Sequence, residues 1–194
     1  MALMDRRPEL ARYGALAQLG HWLTVLLLVG VFGLGFYMVD LPLSPARVKL
    51  FAYHKWIGVT VFAVAVLRLI WRAVSPPPPL PDTLRPWERQ LAALTHRLLY
   101  LLVLAVPLSG WLMSSAKGFQ TVWLGVLPIP DLLDKNPALG AALQRVHFAL
   151  NKLLLAVVVL HVGAALKHHF IDRDTVLLRM LPRAMIQTRH RGKA

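Results

Sequence analysis

The chain has no cysteine among its 194 residues. That absence excludes disulfides, zinc–thiolate sites, iron–sulfur clusters and the thioether attachment of c-type haem. Acidic residues are scarce, nine Asp and Glu against 22 Lys and Arg, which leaves a formal net charge of +13. Charged residues of both signs make up only 16% of the chain, while 57% are hydrophobic and the mean hydropathy is +0.55. So little charge excludes an ordinary soluble domain, and no polar stretch is long enough to form a second one. Residues 1–194 therefore read as one membrane domain whose main partner is the lipid bilayer. The positive excess does not build a nucleic-acid module, because the basic residues flank apolar runs and act as topology signals. No nucleic-acid partner is expected. Met1 to Tyr13 is basic and lacks a small-residue cleavage site, so it is read as leading into a retained first helix.

What is present is four long apolar runs: about Leu16–Val39, Tyr53–Trp71, Leu91–Met113 and Val146–Leu166. Each approaches the roughly 20 residues a helix needs to cross hydrocarbon. The fold class is thus all-α, an integral membrane four-helix bundle. Pro107 is expected to kink the third span, and Pro76–Pro79 makes Ser75 to Pro86 a stiff non-helical linker. Ser114 to Leu143 reads as a long loop with an apolar piece, Val122–Ile129, along the membrane interface. An even number of spans leaves both termini on one side, and that side carries fifteen of the 22 Lys and Arg. The positive-inside rule then places both termini in the cytoplasm, which for a bacterial chain makes this a multi-pass inner-membrane protein.

Histidines recur inside these spans. His147 and His161 are fourteen residues apart in the fourth span, an interval that on a helix separates them by about 21 Å and returns them to nearly one face. With the four spans alternating in direction, His21 and His161 fall at the inner level, His54 and His147 at the outer. Buried imidazoles need partners, and two pairs at two depths suit the axial ligation of two b-type haem irons. The same interval leads from His21 to Gly35, from His54 to Arg68 and from His96 to Gly110. Gly35 and Gly110 would leave room for a porphyrin at the outer level. Arg68 would meet a haem propionate at the inner level. His96 has no ligating partner and is assigned contact with a propionate or a quinone. A lone membrane histidine is more often a helix–helix hydrogen-bond donor, and glycines such as Gly30 and Gly33 usually serve close packing. His168 and His169 are placed at the interface, and His190 in a solvated basic tail.

These residues resemble the bacterial cytochrome b561 family. The resemblance rests on GHWLTVLLL at Gly20–Leu28, HKWIGVTVF at His54–Phe62, HRLLYLLVLAVPLSGWLMSSA at His96–Ala116, LHVGAALKHHF at Leu160–Phe170 and DTVLLRMLP at Asp174–Pro182. It covers nearly the whole chain in order, and it implies a four-helix inner-membrane protein with two b haems held by His21, His54, His147 and His161. The best-known members are similar to superoxide oxidases, which pass an electron from superoxide to membrane quinone. That likeness implies an oxidoreductase with ubiquinone or menaquinone as acceptor. Lys55, Arg145 and Lys152 lie near the outer histidines and are candidates to steer the superoxide anion, although a lysine near a helix end commonly just snorkels. Two other readings follow from the spans: a haem-bearing membrane subunit relaying electrons for a partner dehydrogenase or hydrogenase, and a haem-free transporter. The second needs a polar path through the spans, where almost only His and Arg68 are polar.

Overall fold

A computed structural model describes residues 12–80 and 84–182. Four helices dominate it: α1 (Ala15–Val39), α2 (Pro45–Val74), α3 (Pro86–Ala116) and α4 (Pro137–Phe170). All four are long and apolar enough to cross a membrane. They are longer than the hydrophobic runs alone predict, because helix-start signals lie outside those runs. Pro45, Pro86 and Pro137 each open a helix, where a missing N–H costs no hydrogen bond. The orphan amides just beyond are capped: Arg47 N donates to Ser44 Oγ at 3.2 Å and Leu139 N to Asn136 Oδ1 at 3.0 Å. At the start of α3, Arg85 N donates to Glu88 Oε2 at 3.0 Å. Pro107 lies within a continuous α3.

The loop expected at Ser114–Leu143 is shorter, since α3 runs to Ala116 and α4 begins at Pro137. Its apolar piece forms an antiparallel hairpin of β1 (Thr121–Trp123) and β2 (Leu127–Ile129), with Thr121 paired to Ile129. Leu124 and Gly125 turn it with φ of 53° and 76°, the mirror-image geometry that joins tightly twisted strands. The hairpin is sewn to the bundle. Trp56 Nε1 donates to Val122 O at 2.6 Å, Trp111 Nε1 to Pro130 O at 3.0 Å, and Leu132 N to Ser115 Oγ at 3.3 Å.

At the end of the bundle that carries the termini, the segment after α4 folds back on the start of α1. Tyr13 N donates to Arg179 O at 3.2 Å and Trp22 Nε1 to Met180 O at 3.0 Å. Arg179, buried, donates through Nη2 to Pro79 O at 2.6 Å, which fixes the Pro-rich linker as well. The basic tail with His190 and the first eleven residues lie outside the described residues.

Helix neighbours are sequential, α1 on α2, α2 on α3 and α3 on α4. Among the described residues no Cα of α1 comes within 8 Å of one in α4, so the fourth side of the bundle is open. The packed core is one apolar layer: Val61 and Ala65 of α2, Leu102, Val103 and Val106 of α3, Leu154 and Val157 of α4. Leu27, Leu28 and Phe32 of α1 close it. In every helix that layer falls between the two positions of the fourteen-residue pair. To one side of it lie His21, His96 and His161, and to the other His54 and His147. Elsewhere Leu19, Leu26, Phe36, Leu67 and Val159 are exposed on the outside of the bundle, as lipid-facing residues must be.

Candidate haem-binding levels

At the inner level three imidazoles converge. The rings of His21 and His161 have centroids 6.3 Å apart, and those of His96 and His161 5.2 Å apart. With imidazole–metal bonds of about 2.0–2.1 Å and a ring radius of about 1.1 Å, one metal atom between two imidazoles sets centroids about 6.3 Å apart. The His21–His161 spacing fits that requirement and the His96–His161 spacing is too short for it. His96 is also committed elsewhere, with Nδ1 2.7 Å from Ala92 O in its own helix. Since a carbonyl only accepts, the proton sits on Nδ1 and leaves Nε2 as the acceptor.

Arg68 stands beside this group, within electrostatic reach of both His21 and His161. Its stem packs where α1 has Gly20, whose added Cβ would meet Arg68 Cγ at 3.1 Å. Nη1 donates to Thr24 Oγ1 at 3.0 Å, and Thr24 in turn donates to Gly20 O at 2.7 Å. The guanidinium lies over the Tyr100 ring, 5.6 Å from its centroid, and Arg72 lies over the same ring at 5.5 Å. Tyr100 and Thr24 were not singled out in the sequence. Tyr100 is four residues after His96 and Thr24 three after His21, so helical spacing alone assigns both to the histidine faces.

At the outer level each histidine faces a glycine on a neighbouring helix. A Cβ on Gly35 would come 3.3 Å from His54 Cε1, and one on Gly110 would come 3.1 Å from His147 Cε1. His147 Nδ1 is 3.1 Å from Val106 O and 2.9 Å from Ser109 Oγ, and that hydroxyl donates to Val106 O at 2.7 Å. The carbonyl draws the proton to Nδ1 and turns Nε2 into the free electron-pair donor, the tautomer that a metal-binding imidazole needs. His54 lies near the Val31 carbonyl, yet its Nδ1 is buried with no hydrogen-bond partner. A buried imidazole nitrogen without a partner is costly, and only a bond formed at that atom, by coordination or by a hydrogen bond gained once a cofactor sets the ring, would remove the cost. The facing imidazoles of the inner level, and at the outer level the glycines where a side chain would collide and a nitrogen left unpaired, fit the binding of b-type haem. Gly30 and Gly33, by contrast, have open space where a Cβ would stand.

The three cations near the outer level have unequal surroundings. Lys55 Nζ is engaged with the loop, donating to Ser114 Oγ and Phe119 O at 3.0 Å and to Gln120 O at 3.2 Å. Lys152 lies over Phe148, 4.4 Å from the ring centroid. Arg145 is exposed, two residues before His147. Of the remaining histidines, His168 Nδ1 is 2.7 Å from Asp174 Oδ2 and 3.0 Å from Asp172 Oδ2, and His169 stacks edge-on against Phe170. Lys167 bridges Glu88 at 3.0 Å and Asp172 at 2.8 Å, which ties the start of α3 to the end of α4.

Comparison with known proteins agrees with this architecture. Cytochrome b561 homolog 2 of Escherichia coli (strain K12) is 38% identical over 172 residues, covering 88% of this chain and 91% of that protein. Cytochrome b561 homolog 1 of the same organism is 31% identical over 136 residues, 67% of this chain and 73% of its own. A protein of Yersinia pestis named probable superoxide oxidase CybB is 28% identical over 170 residues, 84% and 92% of the two chains. The family model for prokaryotic cytochrome b561 matches residues 12–183, from the entry to α1 to just beyond the refolded segment after α4. By that match, and by the four spanning helices it encloses, the chain belongs to the prokaryotic cytochrome b561 family.

Proposed function

We propose that this membrane electron-transfer protein is a superoxide:quinone oxidoreductase carrying two b-type haems. The inner haem is held by His21 and His161, the outer by His54 and His147. The observation that carries the reading is the interior itself: two histidine levels, about 21 Å apart by helix rise, separated by a single apolar layer. The similarity to a probable superoxide oxidase supports the choice of donor. The balanced reaction takes two superoxide ions and one quinone with two protons to two dioxygen molecules and one quinol. When bound, the haems supply one-electron transfer between the two faces of the membrane.

The chain's own residues do the rest. Val106 O and Ser109 orient His147, and Gly35 and Gly110 keep side chains out of the outer level. Arg68, held by Thr24 and lying over Tyr100, would supply the positive charge and N–H donors that bind a haem carboxylate. His96, with Nε2 free, stands beside the inner pair to accept a hydrogen bond from a propionic acid or a quinol. Both termini lie on the cytoplasmic side under the charge rule, and ubiquinone or menaquinone is the acceptor.

Superoxide is a small anion, so cations at the outer entrance raise its encounter rate, an effect that salt screens. Arg145 and Lys152 are the steering residues, with Lys55 adding charge while it holds the loop. Stopped-flow reduction of the haems by superoxide, with and without a quinone analogue, tests the function. Rapid reduction followed by quinone-dependent reoxidation is expected, and haems that superoxide leaves oxidised would refute the donor. Replacing Lys55, Arg145 and Lys152 by neutral residues should slow the first phase about tenfold at low salt and flatten its dependence on ionic strength. An Arg145→Gln/Lys152→Gln protein, in which the Lys55 contacts remain, should show most of that loss. An unchanged salt slope in both proteins removes the steering role.

A further inference from the structure

A cleft of about 600 Å³ lies between the start of α1 and the end of α2, on the face of the bundle that carries the termini. Its walls are Leu16, Leu19 and Leu23 of α1 and Leu67, Ile70 and Val74 of α2, and most of them are exposed toward lipid. Its charged groups are all cationic, set among the polar side chains of Tyr13, Trp71, Ser75 and Tyr100. Arg12, Arg68 and Arg72 line it, and among the described residues no acidic side chain does. Arg12 is held in place by Nη2, which donates to Leu178 O at 3.2 Å and to Leu181 O, while its Nε is buried without a partner. Arg72 is exposed, its guanidinium over the Tyr100 ring. Arg68 closes the back of the cleft.

The geometry points to an anionic phospholipid as the resident of this cleft, its phosphate between Arg12 and Arg72 and an acyl chain along the leucine walls. Depth and charge together carry the assignment. Arg72 is near the end of α2 and Val64, also in the lining, is eight residues deeper, a drop of about 12 Å along the helix. The cleft therefore descends from the headgroup level into the acyl region, with cations only at its upper end and back. Basic pockets between membrane helices suit acidic headgroups. A quinone ring is neutral and gains little from Arg12 and Arg72, and inorganic phosphate has nothing to fill the apolar walls.

The thermal midpoint of the detergent-solubilised holoprotein tests this, titrated with dioleoylphosphatidylglycerol, dioleoylphosphatidylcholine, inorganic phosphate or decylubiquinone. Saturating phosphatidylglycerol should raise the midpoint by about 3 °C or more, phosphatidylcholine by less than a third of that, and phosphate not at all. Arg72→Gln, a change at an exposed side chain, should lose at least half of the phosphatidylglycerol shift. Arg12→Gln/Arg72→Gln should lose nearly all of it. Equal shifts with the two lipids, an Arg72→Gln protein that responds like the parent, or a shift produced by decylubiquinone and not by phosphatidylglycerol would each overturn the assignment.

Discussion

His161→Ala and His147→Ala should each yield a protein with one haem in place of two, and the two proteins should lose different haems. Both residues lie on α4, one near each end of the span, with the apolar layer of Leu154 and Val157 between them. Removing either imidazole takes an axial ligand from one level and leaves the other level's ligands, glycines and hydrogen bonds in place. The reduced-minus-oxidised α-band should fall by about half in each variant, and a redox titration should show a single transition where two are expected of the parent. His21→Ala should reproduce the spectrum of His161→Ala, and His54→Ala that of His147→Ala. His96→Ala is the deciding control. Its ring is nearer to His161 than His21 is, 5.2 against 6.3 Å between centroids, so proximity alone nominates it as the inner partner. Room for a metal atom nominates His21. If His96→Ala removes a haem and His21→Ala does not, the inner pairing is wrong.

Gly110→Ala and Gly110→Val should selectively lose the outer haem. A Cβ at position 110 stands 3.1 Å from His147 Cε1, a tighter contact than nearly all side chains make, so the imidazole must give by a few tenths of an ångström. Overpacking of this kind costs about 1–3 kcal/mol, which is about 5- to 150-fold in haem affinity at about 1.4 kcal/mol per decade. The intrinsic preference of the backbone runs the other way, because alanine favours a helix over glycine by about 1 kcal/mol. A loss of haem from Gly110→Ala therefore cannot come from a weaker helix. Gly35→Ala, with 3.3 Å to His54 Cε1, should show a milder form of the same defect. Gly30→Ala and Gly33→Ala, where the added methyl meets nothing within 4 Å, should retain both haems. Equal occupancy of the outer level in Gly110→Val and the parent would show that the glycine serves something other than clearance.

The features of this protein differ in how far the sequence reveals them. Spans and histidine levels are legible because both depend on one periodicity: hydrophobic runs of membrane length, and an interval of fourteen residues repeated on every helix. Helix ends were misplaced because hydropathy marks where lipid stops, not where hydrogen bonding stops. Ser44, Asn136 and the three opening prolines are the signals that extend α2, α3 and α4 beyond the apolar runs. The hairpin at Thr121–Ile129 carries no Asn-Gly or Asp-Gly at its turn, only Leu124-Gly125, and its hold on the bundle comes from Lys55 and from the indoles of Trp56, Trp111 and Trp123, the last donating to Trp56 O and Thr60 Oγ1 at 3.3 Å. Lys55, beside His54 in the sequence, also holds structure that the sequence does not reveal: it donates to Ser114 Oγ of α3 and to the loop carbonyls of Phe119 and Gln120. Ser109 likewise passes for a packing residue until His147 is seen 2.9 Å away.

All of this depends on two irons gripped by imidazole pairs, and quantifying iron and extractable protohaem against polypeptide in the purified membrane protein decides it. Two equivalents of each per chain are expected. One equivalent or fewer, in material whose four helices are intact by circular dichroism, would contradict the reading.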